Sequence, residues 1–104
     1  MMLENAYQRR LIKQLRERFP GCMVLKNDTD YLQGIPDLLV LFKKKWAALE
    51  VKASANAAVQ PNQDYYIELM NELSFAAFIY PENEEEVLYA LQQSFQPRRA
   101  SRVS

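Results

Sequence analysis

Along residues 3–19, LENAYQRRLIKQLRERF, apolar side chains recur three and four positions apart at Leu3, Tyr7, Leu11, Ile12, Leu15 and Phe19. That spacing predicts an amphipathic helix, and Pro20-Gly21 ends it. The short apolar run over 22–27, CMVLKN, predicts a strand, and DTDYLQG over 28–34 a polar loop of turn-forming residues. Two richer apolar runs follow, DLLVLFK and WAALEVKA, joined through lysines closely enough to make an antiparallel hairpin. Small residues over 54–59 predict a mobile loop. In PNQDYYIELMNEL, residues 61–73, Pro61 suits a first helical turn and Tyr66, Ile67, Met70 and Leu73 fall at helical spacing. FAAFIY over 75–80 predicts a fourth strand stopped by Pro81. ENEEEVLYALQQSF over 82–95 opens with acids suited to the positive end of a helix and continues with Val87, Leu88, Leu91 and Phe95. The order is αβββαβα. It describes an α/β (α+β) chain, one domain over 1–104 with its core over about 3–95, and a loose basic tail over 96–104.

Charged residues inside the two hairpin strands change this picture. Side chains alternate along a strand, so Glu50 and Lys52 share a face and Val51 takes the other. Asp37 joins them only if the hairpin pairs residues whose numbers sum to an odd value. Pairing Asp37 with Glu50 implies a two-residue turn at Lys43-Lys44, and pairing it with Lys52 a four-residue turn over Lys43–Trp46. A regular three-residue turn would set Asp37 opposite Val51 and separate the charges. Glu4 falls near the middle of the first helix's apolar stripe, and Gln63 lies three, four and seven residues before Tyr66, Ile67 and Met70, so both are expected to point at the sheet. A cluster of Glu4, Asp37 and Glu50 buried together is costly unless a cation sits among them. Each residue also has a plainer explanation, as solvated strand face, turn residue or frayed helix end. Their joint arrangement favours a site.

Composition narrows the chemistry. The chain has no histidine, which excludes imidazole ligands and bases, and with Cys22 alone it has no internal disulfide. Carboxylates, lysine and backbone oxygens remain, a donor set for hard cations such as Mg²⁺. No apolar run exceeds six residues, far below the ~20 that cross a bilayer, so no membrane association and a cytoplasmic location are expected. Net charge is zero, yet residues 1–52 hold ten Lys/Arg against six Asp/Glu and residues 53–104 three against seven. That asymmetry hints at a basic face for a polyanion.

IPD at 35–37 followed by EVK at 50–52 resembles the PD-(D/E)xK nuclease motif. With Gly34, the small-residue loop after the lysine, PNQ opening the next helix and the element order, residues 3–93 resemble the small phage-type VRR-NUC domains, which include Holliday junction resolvase-like enzymes. The resemblance implies a restriction-endonuclease-like αβββαβ core, a mixed four-stranded sheet flanked by helices, plus the C-terminal helix. It implies a metal-dependent endodeoxyribonuclease leaving 5′-phosphate and 3′-hydroxyl ends, structure-selective for branched or junction DNA in phage-type replication, recombination or repair. Asp37 and Glu50 match metal ligands, Lys52 the motif lysine, Glu4 the first-helix acid and Gln63 a further polar site residue. Mg²⁺ or Mn²⁺ would be held by Asp37, Glu50, the Val51 backbone carbonyl and, through water, Glu4, with Lys52 positioning the attacking water or stabilising developing charge.

The DNA-facing elements are less defined. Lys26 and the loop to Gln33 lead into the site and are the preferred contacts. Lys43, Lys44 and Lys45 suit a solubilising turn better than a phosphate contact, and Arg9, Arg10, Lys13 and Arg16 lie opposite the first helix's core face. Arg98, Arg99 and Arg102 could hold phosphate loosely. Trp46 and Cys22 are assigned to the core. One centre cuts one strand, so symmetric cutting implies a homodimer. The rivals are a non-catalytic nucleic-acid-binding module of the same fold and a protein-interaction domain.

Overall fold

The computed structural model describes residues 3–96. The tail beyond Gln96, with Arg98, Arg99 and Arg102, lies outside the described residues. The elements are α1 (Glu4–Arg18), β1 (Met23–Lys26), β2 (Leu38–Phe42), β3 (Lys45–Val51), α2 (Gln63–Leu73), β4 (Phe75–Ile79) and α3 (Glu84–Phe95). This is an α+β fold: a four-stranded mixed sheet in the order β1-β2-β3-β4, with three helices flanking it. β2 pairs antiparallel with both β1 and β3, and the crossover through α2 sets β4 parallel to β3. Among the described residues no helix is long and apolar enough to cross a membrane.

The hairpin closes with the two-residue turn. Phe42 pairs with Lys45 and Leu38 with Leu49, so Lys43 and Lys44 form the tip and the same register brings Asp37 opposite Glu50. Lys43 takes φ 57, a conformation usually given to glycine or asparagine, which a hairpin this tight requires at its first turn position. Directly paired residues share a face. Leu38, Val40, Ala47, Leu49, Val51 and Ile79 therefore point one way, and there they meet Tyr7, Leu11 and Leu15 of α1 and Leu88 and Leu91 of α3 in a fully buried core. At one end of it Phe19, Phe42 and Phe95 cluster in tilted and edge-to-face contacts, with ring centroids 5.2–5.6 Å apart.

Several boundaries differ from the sequence expectation, each for a local reason. α2 begins at Gln63 because Asn62 takes a left-handed φ of 70, and Pro61 sits in the preceding turn. α3 begins at Glu84 because the Asn83 side chain serves the sheet edge, accepting from the Tyr80 N–H and donating to the Phe78 carbonyl. The Asn71 Oδ1 likewise accepts the Ala76 N–H, so side-chain amides occupy the outer edge of β4. α2 is only half-buried, with Leu73 68 % exposed, where its apolar spacing predicted a buried face. Trp46, expected in the core, is half-buried on the opposite face of the sheet, whereas Cys22 packs at the core's margin.

One buried carboxylate was not anticipated. Glu84 opens α3 as an acid should, but it is buried and accepts the Tyr7 hydroxyl at 2.9 Å, with the Arg10 guanidinium 3.5 Å away. Burial, then the adjacent Glu84, raise the Tyr7 phenol well above its ordinary range. This triad ties α1 to α3 over the core.

Candidate active site

The side chains of Asp37, Glu50 and Lys52 converge at the end of the sheet where β3 finishes. Glu50 lies between Leu49 and Val51, whose side chains fill the core, so it projects from the opposite face. It is nevertheless buried, at 3 % exposure, because the chain after Lys52 folds over it and delivers the start of α2. Gln63, the first residue of α2, donates its Nε2 to Glu50 Oε2 at 3.0 Å. Its own Oε1 accepts the Gln60 N–H at 2.8 Å, which orients the amide. Lys52 Nζ lies 3.8 Å from the same Glu50 oxygen and donates to the Ala58 carbonyl at 3.0 Å. The 54–59 run, expected to be mobile, is thus tied to the motif lysine.

Asp37 reaches the site from just before β2. Its Oδ2 accepts the Val51 N–H at 2.8 Å, and its backbone carbonyl accepts the Asn27 N–H. The N–H and C=O of one strand residue point to the same edge, so the Val51 carbonyl also faces Asp37. These groups open into a cavity of about 480 Å³ whose lining includes Asp37, Glu50, Lys52, Gln63, Glu4 and Gln33. All five residues expected to be catalytic share it. Glu4 enters differently from expectation. It is exposed, as the first residue of α1, where a buried position was expected.

The electrostatics of the cavity centre on Glu50. Burial first, then the Asp37 carboxylate beside it, push Glu50 up to about 8 against the opposing pull of Lys52. Its second oxygen, Oε1, is buried with no hydrogen-bond partner among the described residues. An acceptor left bare in this way costs about 1–3 kcal/mol. A divalent cation fits the donors present: the unpartnered Glu50 oxygen, an Asp37 carboxylate and the Val51 carbonyl are all oxygens, the set that Mg²⁺ and Mn²⁺ prefer. Among the described residues no three acidic or thiol side chains form a ready-made cage for an ion.

The remaining expected contacts lie elsewhere. Lys26 pairs with the core residue Leu38 and therefore projects from the sheet face opposite Glu50. Lys43, Lys44 and Lys45 stand at the far end of the hairpin, about 20 Å along the strand from Asp37. Lys45 is engaged there, its Nζ donating to the Ser94 and Gln96 carbonyls at the C-terminus of α3. Of the contacts preferred for DNA, Gln33 lines the cavity together with Thr29 of the same loop. Sequence reasoning missed the backbone groups of Ala58 and Gln60 that fix Lys52 and Gln63, since neither has a side-chain signal.

Gly34 holds the two sides of the cavity together. It has φ 90, and a Cβ there would come 2.6 Å from Asn62 Cβ and 2.8 Å from the Pro61 carbonyl oxygen. Gly34→Ala is expected to cost about 2–3 kcal/mol through backbone strain and this overlap, measured by thermal or urea unfolding. A loss below about 0.5 kcal/mol would show that the 60–63 turn retreats freely.

No protein-family model, curated protein or solved structure matches the chain. Fold and site together define an α+β protein with a buried carboxylate, a half-buried one beside it and a buried lysine in an open cavity at one end of a mixed sheet.

Proposed function

We propose that the protein is a divalent-metal-dependent endodeoxyribonuclease. The observation that carries this reading is the buried Glu50 carboxylate, with one oxygen unpartnered, facing an open cavity beside Asp37 and Lys52. The arrangement is destabilising for the protein alone and is relieved by a cation, a pattern expected of a functional site. The resemblance of IPD and EVK to the PD-(D/E)xK motif supplies the reaction class.

Bound Mg²⁺ or Mn²⁺ would neutralise a phosphate oxygen and acidify a water. The protein's own groups do the rest. Gln63 holds Glu50 by Oε2 and leaves Oε1 without a hydrogen bond. Asp37 is anchored to the Val51 N–H, which fixes the carboxylate spacing. Lys52 presents a positive charge within reach of the same space, where it stabilises charge developing on phosphorus oxygens. Gln33 and Thr29 also line the cavity and would meet the nucleic acid there. Branched or junction DNA is the proposed substrate, and the cytoplasm the proposed place of action.

Incubating the protein with labelled duplex, single strand, flap and four-way junction in Mg²⁺, Mn²⁺ or EDTA tests this. Strand scission with 5′-phosphate ends is expected with either metal and none with EDTA. Salt-sensitive binding to these DNAs without scission in any metal would favour the non-catalytic binding module.

A further inference from the structure

Only one face of the sheet is fully covered. α1 and α3 bury the face carrying Leu38, Val40, Leu49 and Val51. On the other face α2 packs against β3 and β4. The β1 and β2 half of that face carries Met23, Leu25, Leu39 and Leu41, an unbroken apolar set, with Met23 57 % and Leu25 41 % exposed. A strand face of this composition is normally laid against another element.

α2 has the complementary defect. Tyr65, Leu69 and Leu73, four residues apart and so in one row, are 60 %, 38 % and 68 % exposed. The helix's rotation is fixed by Asn71, which holds the Ala76 N–H at the outer edge of β4. At 100° per residue, Leu69 and Leu73 lie on the far side of the helix from Asn71. The row therefore overlooks β3 towards β2, beside the uncovered strands. One chain thus shows a sheet surface lacking a helix next to a helix row lacking a sheet.

We propose that a second copy of this chain docks here, α2 of each copy laid on the β1 and β2 face of the other. Such a contact is isologous and closes as a two-fold dimer without leaving either surface over. Charge favours a like copy as the occupant. Residues 53–96 contain no Lys or Arg, and Glu68 and Glu72 flank the α2 row. Lys43 and Lys44, which form no ion pair among the described residues, stand at the tip of the hairpin that carries the apolar strands. The reciprocal arrangement brings acidic helix to basic tip twice. A polyanion on the same surface would instead meet the α2 carboxylates at close range. The inference does not depend on the nuclease reading.

Analytical ultracentrifugation of the full chain over a concentration series tests it. The wild type is expected to sediment as a dimer. Leu73→Glu and Met23→Lys, both at exposed positions, are each expected to weaken it about a hundredfold while circular dichroism stays native. Mixing the two variants should restore a heterodimer, because one of its two contacts becomes a Glu–Lys pair and the other is wild-type. A monomeric wild type at every concentration overturns the proposal. So does a dimer that both variants leave intact, or a mixture that remains monomeric.

Discussion

Glu50→Gln is expected to abolish metal-dependent strand scission and at the same time to stabilise the metal-free protein by about 2 kcal/mol at pH 8. The two effects have one source. The carboxylate is buried beside Asp37 with one oxygen bare, and its affinity for protons is raised to about 8. A glutamine keeps the shape and the acceptor for Gln63 but carries no charge to desolvate. The pH dependence follows from the direction of the shift. Between the unfolded value near 4.5 and about 8 the folded protein holds a proton that the unfolded chain has released. Folding stability from this group is therefore fully present below about pH 4.5 and declines as pH rises to about 8, by at most roughly 1.4 kcal/mol per pH unit. Differences in unfolding free energy between wild type and Glu50→Gln isolate this group from every other. They should widen from pH 5 to pH 8. Mg²⁺ should reverse the trend, raising the wild-type melting temperature more at pH 8 than at pH 6, and should leave Glu50→Gln unmoved. A variant that still cuts, or a stability difference that is flat with pH, would refute the assignment of Glu50 as the charged centre of the site.

Lys52→Met is expected to lower the cleavage rate about a thousandfold, the scale seen when one group aimed at developing charge is removed. The side chain is buried along a slot ending at the Ala58 carbonyl, so methionine fills the stem and the fold survives. A second signature separates this role from a structural one. The Lys52 charge is among the influences that hold Glu50 down, so its removal shifts the residual activity to higher pH. Lys52→Arg is not expected to rescue, because a planar guanidinium does not fit a slot shaped for one ammonium between Glu50 and Ala58. A pH profile that keeps its position while the rate falls would confine Lys52 to direct charge stabilisation. Undiminished cleavage by Lys52→Met would contradict the nuclease reading itself.

Much of this was legible in the chain because it depends on periodicity. The spacing of Tyr7, Leu11 and Leu15 fixes α1, and the alternation of Glu50 with Val51 fixes which side chain enters the core, since both follow from local backbone geometry. The grouping of Glu50 with Lys52 is equally local. Asp37 was decided differently. Its membership depended on a turn, and nothing in Lys43-Lys44-Lys45 announces that a lysine will take φ 57 where glycine is usual. Glu4 shows the opposite failure: a helical wheel places it in the apolar stripe of α1, yet as the first residue of the helix it stays exposed. Lys45 was ambiguous by type, because a surface cation and a helix-capping one are the same residue until α3 arrives 49 positions later.

By itself, then, the sequence determined the element order, the division of Glu50 and Lys52 from Val51 between the two faces of β3 and the oxygen-and-lysine chemistry open to a chain without histidine, all consequences of neighbours a few residues apart. The tertiary structure decided that Asp37 stands opposite Glu50, that Gln63 and Ala58 fix Glu50 and Lys52, and that half a sheet face is left bare beside α2. Those depend on hairpin register and crossover packing, where contacts between distant residues choose among arrangements that the local pattern permits equally.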